Sequence, residues 1–206
     1  MKSNNIILIG YSGHAFVAYD ILLSTGNKAY AYCDSTEKQN NPFGLKYLGS
    51  ENTQNAQDEL MKNIFFIAIG DNNIRQKIYE DLAAQQMFPC NAIHQSAIVS
   101  SSAIVMDNGI MISAGVTINA LATIGNGAIC NTNCIIEHEC EIGHFAHIGP
   151  GAILCGNVKI GENTFVGAGT VIKQGMKIGN NVIIGAGAIV VKNVPDNVTI
   201  MGNPAK

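Results

Sequence analysis

The chain has 206 residues, of which 47% are hydrophobic and only 13% charged, with a formal net charge of −3 at pH 7. That length suits one domain or two small ones and is enough to bury a core. No run of eighteen apolar residues is present, which argues against a membrane span, and no basic tract is present, which argues against nucleic-acid binding.

The first segment, "MKSNNIILIGYSGH", runs straight into a strand and a glycine turn without the apolar core of a secretory signal, so a cytoplasmic protein is expected. "NIILIG" (5–10) reads as a strand, "AFVAYDILLS" (15–24) as a helix stopped by Gly26, and "KAYAYCD" (28–34) as a second strand. "NIFFIAIG" (63–70) reads as a third strand and "NNIRQKIYEDLAAQQ" (72–86) as an amphipathic helix. Strands alternating with helices predict a small parallel sheet of Rossmann-like βαβ type. Its first turn runs Gly10, Tyr11, Ser12, Gly13, His14, Ala15. The dinucleotide fingerprint G-x-G-x-x-G is not met, because Ser12 and Ala15 replace its second and third glycines. The turn alone is either an ordinary strand–helix connection or a phosphate cradle at a helix N-terminus.

From Ile112 the sequence divides into sixes: ISAGVT, INALAT, IGNGAI, CNTNCI, IEHECE, IGHFAH, IGPGAI and on to VVKNVP, fourteen blocks ending at Pro195. The first position is Ile, Leu or Val in thirteen blocks, Cys130 being the exception, and the fifth is always Ala, Val, Cys, Thr or Met. One more block, "VSSSAI" (99–104), precedes a seven-residue step. A period of six fits neither helix nor lone strand; it predicts a stacked coil of three corners and three short strands, about 18 residues per turn, with first positions inside. Six cysteines are present without a C-x-x-C pair; Cys134 and Cys140 fall on inward fifth positions and read as inert filling.

The stretch "IIEHECEIGHFAHIG" (135–149) carries His138, His144 and His147 among Glu137, Glu139 and Glu141. Three readings compete: solvated surface histidines, a metal site, and an acid–base site. Zinc needs converging ligands. A third ligand two coils back would be Ser102 or Asn108, and His138 and His144 fall on different faces, so no metal is expected. His138 stands at an outward third position, and the position one coil on is Gly156, which leaves room beside the ring. An adjacent carboxylate, Glu137 or Glu139, would orient the imidazole as a base.

With these motifs the chain resembles the hexapeptide-repeat acyltransferases, whose β-helix is left-handed. "CNTNCIIEHECEIGHFAHIGPGA", "LCGNVKIG" and the front "GYSGH" resemble the nucleotide-sugar N-acetyltransferases of the sialic-acid O-acetyltransferase-like (NeuD/PglD) branch. The resemblance implies an α/β nucleotide-sugar-binding domain over residues 1–92 and a left-handed parallel β-helix acetyltransferase domain over 93–206. By it, His138 is the general base and Glu139 its orienting partner. His147 lies near the thioester of acetyl-CoA, Gly156 offers an N–H to the acetyl group, and Ala168, Gly185 and Ala186 follow the pantetheine arm. Asn131 lies near the acceptor. Ser12, Gly13 and His14 lie against the nucleotide sugar, Gly70, Asp71 and Asn72 complete the cradle, and Asp34 contacts base or ribose. Ser35 stands where the family often has a second acidic residue, which leaves the base open. The implied acceptor is a UDP- or dTDP-4-amino-4,6-dideoxyhexose for surface-glycan assembly, acetylated by a homotrimer with acetyl-CoA between subunits. A sialic-acid-type O-acetyltransferase and a non-catalytic nucleotide-sugar scaffold are the alternatives.

Overall fold

The structure, a computed structural model, describes residues 5–206; residues 1–4 of the expected front domain lie outside the described residues. Its first part contains β1 (Asn5–Ile9), α1 (Gly13–Ser24), β2 (Lys28–Cys33), β3 (Lys46–Tyr47), α2 (Gln54–Leu60), β4 (Ile64–Ile67) and α3 (Asn72–Ala83). The strands form one parallel sheet in the order β3-β2-β1-β4. The sequence reading missed β3 and α2. β3 is two residues long, and α2, "QNAQDEL", buries only Ala56 and Leu60, so neither projects a periodic apolar signal.

The second part begins with β5 (Ala92–Ile93), one coil before the first regular block. Eighteen two-residue strands then stack into three parallel sheets of seven, five and six strands, the faces of a triangular prism. Every first-position residue from Ile112 to Val190 is buried and meets its equivalent in adjoining coils, with the fifth-position Ala, Val and Cys side chains filling the corners. Thr164 and Thr170, at fifth positions, are fully buried because their hydroxyls donate to the carbonyls of Gly179 and Gly185. Such pairing removes the penalty of burying a hydroxyl.

Strands on one face are 18 residues apart, except across the first coil, where the spacing is 19, as from Ile104 to Thr123, and at the end of the prism, where it is 16, as from Ile183 to Thr199. The seven-residue step supplies the extra residue. There Gly109, at φ +72, runs against Pro89, and its N–H donates to the Pro89 carbonyl. Asn91 closes the step by donating to Met106 O and accepting from Ile110 N. The irregular coil is therefore the seat of the chain segment entering the prism.

The three faces differ outside. The seven-strand docking face carries the first part: Ala92, Met111 and Ile129 share a buried cluster with Ile6, Leu8, Tyr11 and Tyr19. The five-strand charged face shows Glu141, Lys159 and Lys177, with Lys159 paired to Glu141 at 2.6 Å. The six-strand apolar face projects Ile98, Thr117, Ile135, Ile153, Val171 and Ile189.

Ile136 is fully buried in the middle coils. Ile136→Ala is expected to lower unfolding free energy by about 2–5 kcal/mol, the cost of lost burial plus cavity, read from the midpoint of urea unfolding.

Candidate active site

His138 sits on the corner between the apolar and charged faces, in the turn joining Ile135–Ile136 to Glu141–Ile142. Its side chain is about half exposed at 51%. Nδ1 lies 3.0 Å from Glu139 Oε2. With a carboxylate on Nδ1, the ring proton belongs there and Nε2 is left as the acceptor. Of the two glutamates left open by sequence, Glu139 is therefore the partner that reaches; Glu137 instead approaches the His138 backbone N–H at 3.4 Å. Glu139 reaches because its backbone is left-handed, with φ 61. Gly156 lies one coil on, and a methyl group there would stand 2.5 Å from His138 Nε2. The Gly156 N–H has no hydrogen-bond partner among the described residues. The room expected beside the ring is thus filled by the ring itself, which rests over Gly156, and the corner combines an oriented, half-exposed imidazole with a free N–H donor.

Ser12, Asp34, Ser35, Gly70 and Asp71 line a cavity of about 480 Å³ at the C-terminal ends of β1, β2 and β4. Ligands of open α/β sheets bind at such strand ends. Gly10, at φ +90, is required there because a Cβ would strike Ile69 Cγ1 at 2.6 Å. Ser12 stands at the N-cap of α1 without capping it by its side chain and lines the cavity. Burial alone would raise the Asp34 pKa. Lys38 at 2.8 Å, the Tyr11 N–H at 3.0 Å and the Ser35 hydroxyl outweigh that and hold it below the ordinary value. Asp71 is partly committed, since it caps α3 by accepting from Ile74 N at 2.9 Å.

A third cluster forms where the first part meets the docking face. His147, 8% exposed, lies with its Nδ1 3.4 Å from Gly70 O and its Nε2 3.1 Å from Asn131 Nδ2. Its ring packs against Phe165 and faces His14. Burial, then the nearby Arg75 guanidinium, push both His14 and His147 down to about 4. His14 Nε2 is buried without a partner. Asn72 is a tie between the two parts: it donates to Asn163 O and accepts from Arg75.

The residues expected in the site therefore fall into separate groups within one chain. His138, Glu139 and Gly156 occupy the corner opposite the docking face. Asn131, His147, His14, Gly70 and Asn72 gather on that face. Ala168 and Ala186, both exposed and stacked one coil apart, lie with Gly185 on the corner between the docking and apolar faces. His144, to which the resemblance assigns no role, belongs to a side-chain ladder, its Nδ1 accepting from Asn126 N at 3.0 Å. Asn180 and Asp196 make the same bond to coils preceding their own.

Among the described residues, no three His, Cys, Asp or Glu side chains gather as a metal-binding set. The cysteines are free. Burial raises the Cys140 thiol to about 11, which suits packing rather than nucleophilic attack. Arg75 was not singled out by sequence, although it is 1% exposed and touches both parts. The signal was available: Arg75, Ile78, Tyr79 and Leu82 lie at helical spacing on the inner face of α3.

Residues 5–82 match the PglD N-terminal domain, and residues 139–174 and 157–192 match the bacterial transferase hexapeptide family of six repeats. A structure of a histidine variant of perosamine N-acetyltransferase from Caulobacter crescentus, in complex with CoA and GDP-perosamine, is similar at 36% identity. That likeness covers 98% of this chain and 95% of that one, with a TM-score of 0.91. The acetyltransferase domain of PglB from Neisseria gonorrhoeae in complex with acetyl coenzyme A is 32% identical, covers 99% and 98%, and has a TM-score of 0.88. WeeI from Acinetobacter baumannii, at 24% identity with 98% of each chain covered and a TM-score of 0.83, shares the fold. The prism is thus a left-handed parallel β-helix, and the chain belongs to the hexapeptide-repeat nucleotide-sugar acetyltransferases with a PglD-type N-terminal domain.

Proposed function

We propose that the protein transfers the acetyl group of acetyl-CoA to the amine of a nucleotide-linked amino sugar. The observation that carries this reading is the His138 corner: a half-exposed imidazole held at Nδ1 by Glu139 and seated over Gly156, which has no side chain to displace it. The similar Caulobacter and Neisseria proteins, crystallised with CoA and GDP-perosamine or with acetyl-CoA, support the choice of both substrates.

Residues 5–92 form the nucleotide-sugar domain in this reading. The diphosphate lies at the N-terminus of α1, where Ser12, Gly13 and the first N–H groups meet it, and Asp34 takes a hydrogen bond from base or ribose. Ser35 offers a hydroxyl beside Asp34 instead of a second charge. Acetyl-CoA supplies an activated acyl carbon. The amine nitrogen bonds to that carbon as His138 Nε2 takes its proton, and Glu139 stabilises the resulting imidazolium. The Gly156 N–H donates to the carbonyl oxygen as it gains charge, a kind of interaction whose removal elsewhere costs about 3–4 kcal/mol. The C–S bond then breaks and the thiolate receives the proton held on His138. Asn131 and His147 contact the reacting groups, with Ala168, Gly185 and Ala186 along the pantetheine arm.

The separation of groups within one chain calls for a neighbouring subunit. The apolar face, with its column of aliphatic side chains, suits burial against further copies, whereas the charged face suits water. A cyclic trimer built on the apolar faces brings the His138 corner of one subunit toward the docking face and nucleotide cavity of the next. The reaction belongs in the cytoplasm, where both substrates are made, and its product feeds surface-glycan assembly.

An assay of acetyl-CoA with UDP-, dTDP- and GDP-linked 4-amino sugars, beside a hydroxyl acceptor of sialic-acid type, tests the reading. Turnover is expected only with an amine, and turnover only with the hydroxyl would overturn it. His138→Ala is expected to lower kcat by about 10²–10⁴-fold, measured in the same assay. Gly156→Ala should displace the ring and cost about 10²-fold in kcat while the protein stays folded by circular dichroism. Ile153→Arg is expected to abolish the trimer in sedimentation velocity and the activity with it; a fully active monomer would refute the shared site.

A further inference from the structure

We propose that Arg75 is a positioning residue of the transfer site: it bolts the Ile69–Asn72 turn to two rungs of the prism and so fixes the orientation and tautomer of His147. For its kinetic arm the inference rests on the transferase reading above.

All five guanidinium N–H donors are used. Nε donates to Gly127 O at 2.8 Å, and Nη2 donates to Phe145 O at 2.8 Å and to Asn72 Oδ1 at 2.8 Å. Nη1 donates to Ile69 O at 3.1 Å and Gly70 O at 3.0 Å. Gly127 and Phe145 are equivalent corner residues one coil apart. The rigid fork therefore spans two adjoining rungs and the turn that borders the nucleotide cavity. A lysine, with one mobile ammonium, has no such span.

The consequence passes through Gly70. Its carbonyl, held by Arg75, is also the partner of His147 Nδ1. On the other side of the ring, Asn131 Oδ1 is occupied by the Thr132 N–H at 2.8 Å, which turns the Asn131 amide nitrogen toward His147 Nε2. An amide N–H₂ can only donate, so Nε2 is an acceptor and the ring proton is on Nδ1. The charged or titratable groups around His147 are Arg75 from α3 and His14 from α1, with Asp71 at the N-cap of α3 beside Arg75. Burial lowers both histidines and the Arg75 cation lowers them further, so both rings stay neutral well below pH 6. Of the three histidines between 138 and 147, one is locked neutral by this network and one serves the side-chain ladder. That leaves His138 free to take the amine proton.

Imidazole ¹⁵N NMR of the wild-type protein tests this without any variant. His147 is expected as the neutral Nδ1–H tautomer from pH 8 down to about pH 5. An Nε2–H tautomer, or a titration midpoint above pH 6, would overturn the proposal. Arg75→Lys keeps the charge and loses the fork: kcat is expected to fall at least about tenfold, with the KM for acetyl-CoA little changed. Arg75→Met loses both, and its His147 midpoint is expected to rise above that of Arg75→Lys. Wild-type kcat in the lysine variant, or equal midpoints in the two folded variants, would refute the positioning role. If the wild-type protein showed the expected tautomer but no acetyl transfer, the transferase reading would fail and the structural role of Arg75 would stand.

Discussion

At thirteen consecutive corners of the prism, from Gly115 to Gly187, the fourth residue of the block has a positive φ. Three two-residue strands meet at sharp turns in each coil, and this conformation makes the turn at these corners; the first corners, 94–97 and 100–103, turn without it. Ten of these residues are Gly or Asn, the types that enter this region at least cost. The other three are Leu121, Glu139 and Phe145. Other side chains lose roughly 1–2 kcal/mol there. Two of the three have a visible return. Glu139 directs its carboxylate to His138, and Phe145 offers its carbonyl to Arg75 and its ring to Tyr79 at 5.2 Å between centroids. Nothing in the structure explains Leu121.

The same requirement separates structure from chemistry. First and fifth positions are occupied by the core, and fourth positions by the turn. Apart from fourth-position residues such as Glu139 and Phe145, only the remaining positions are free to differ between faces. They make one face a platform for the α/β part, one a charged surface and one an apolar wall. They also place His138 and Gly156 at the same point of successive coils, so that the glycine on which the imidazole rests arises from the repeat itself.

Much of this was legible in the sequence because a six-residue period has no competing explanation. The inward first position held for every block, and Cys130 fits because it stacks in the same interior column as Ile112 and Ile148. The outward setting of His138 and the choice of Gly156 as its neighbour followed from block arithmetic alone. What the sequence did not disclose were contacts between distant segments. His147 reads as a surface histidine in its block, yet the α/β part buries it. Asn72 reads as a loop residue, yet both ends of its amide tie the two parts together. Arg75 reads as a solvated charge on a helix, yet its carbonyl acceptors lie as far as 70 residues away in the chain. The docking of one half on the other decides these cases; the helical spacing of Arg75, Ile78, Tyr79 and Leu82 marks an inner face of α3 but does not name what covers it.

The 19-residue first coil shows what the prism tolerates. One surplus residue was absorbed where Gly109 and Asn91 could build a special seat against Pro89. Elsewhere a single insertion would rotate every later block by one place and turn its aliphatic wall toward water. Between its two irregular ends, the second with a spacing of 16, the prism can therefore lengthen or shorten almost only in whole turns. The distance from the His138 corner to the last regular coil then acts as a ruler graduated in units of one coil.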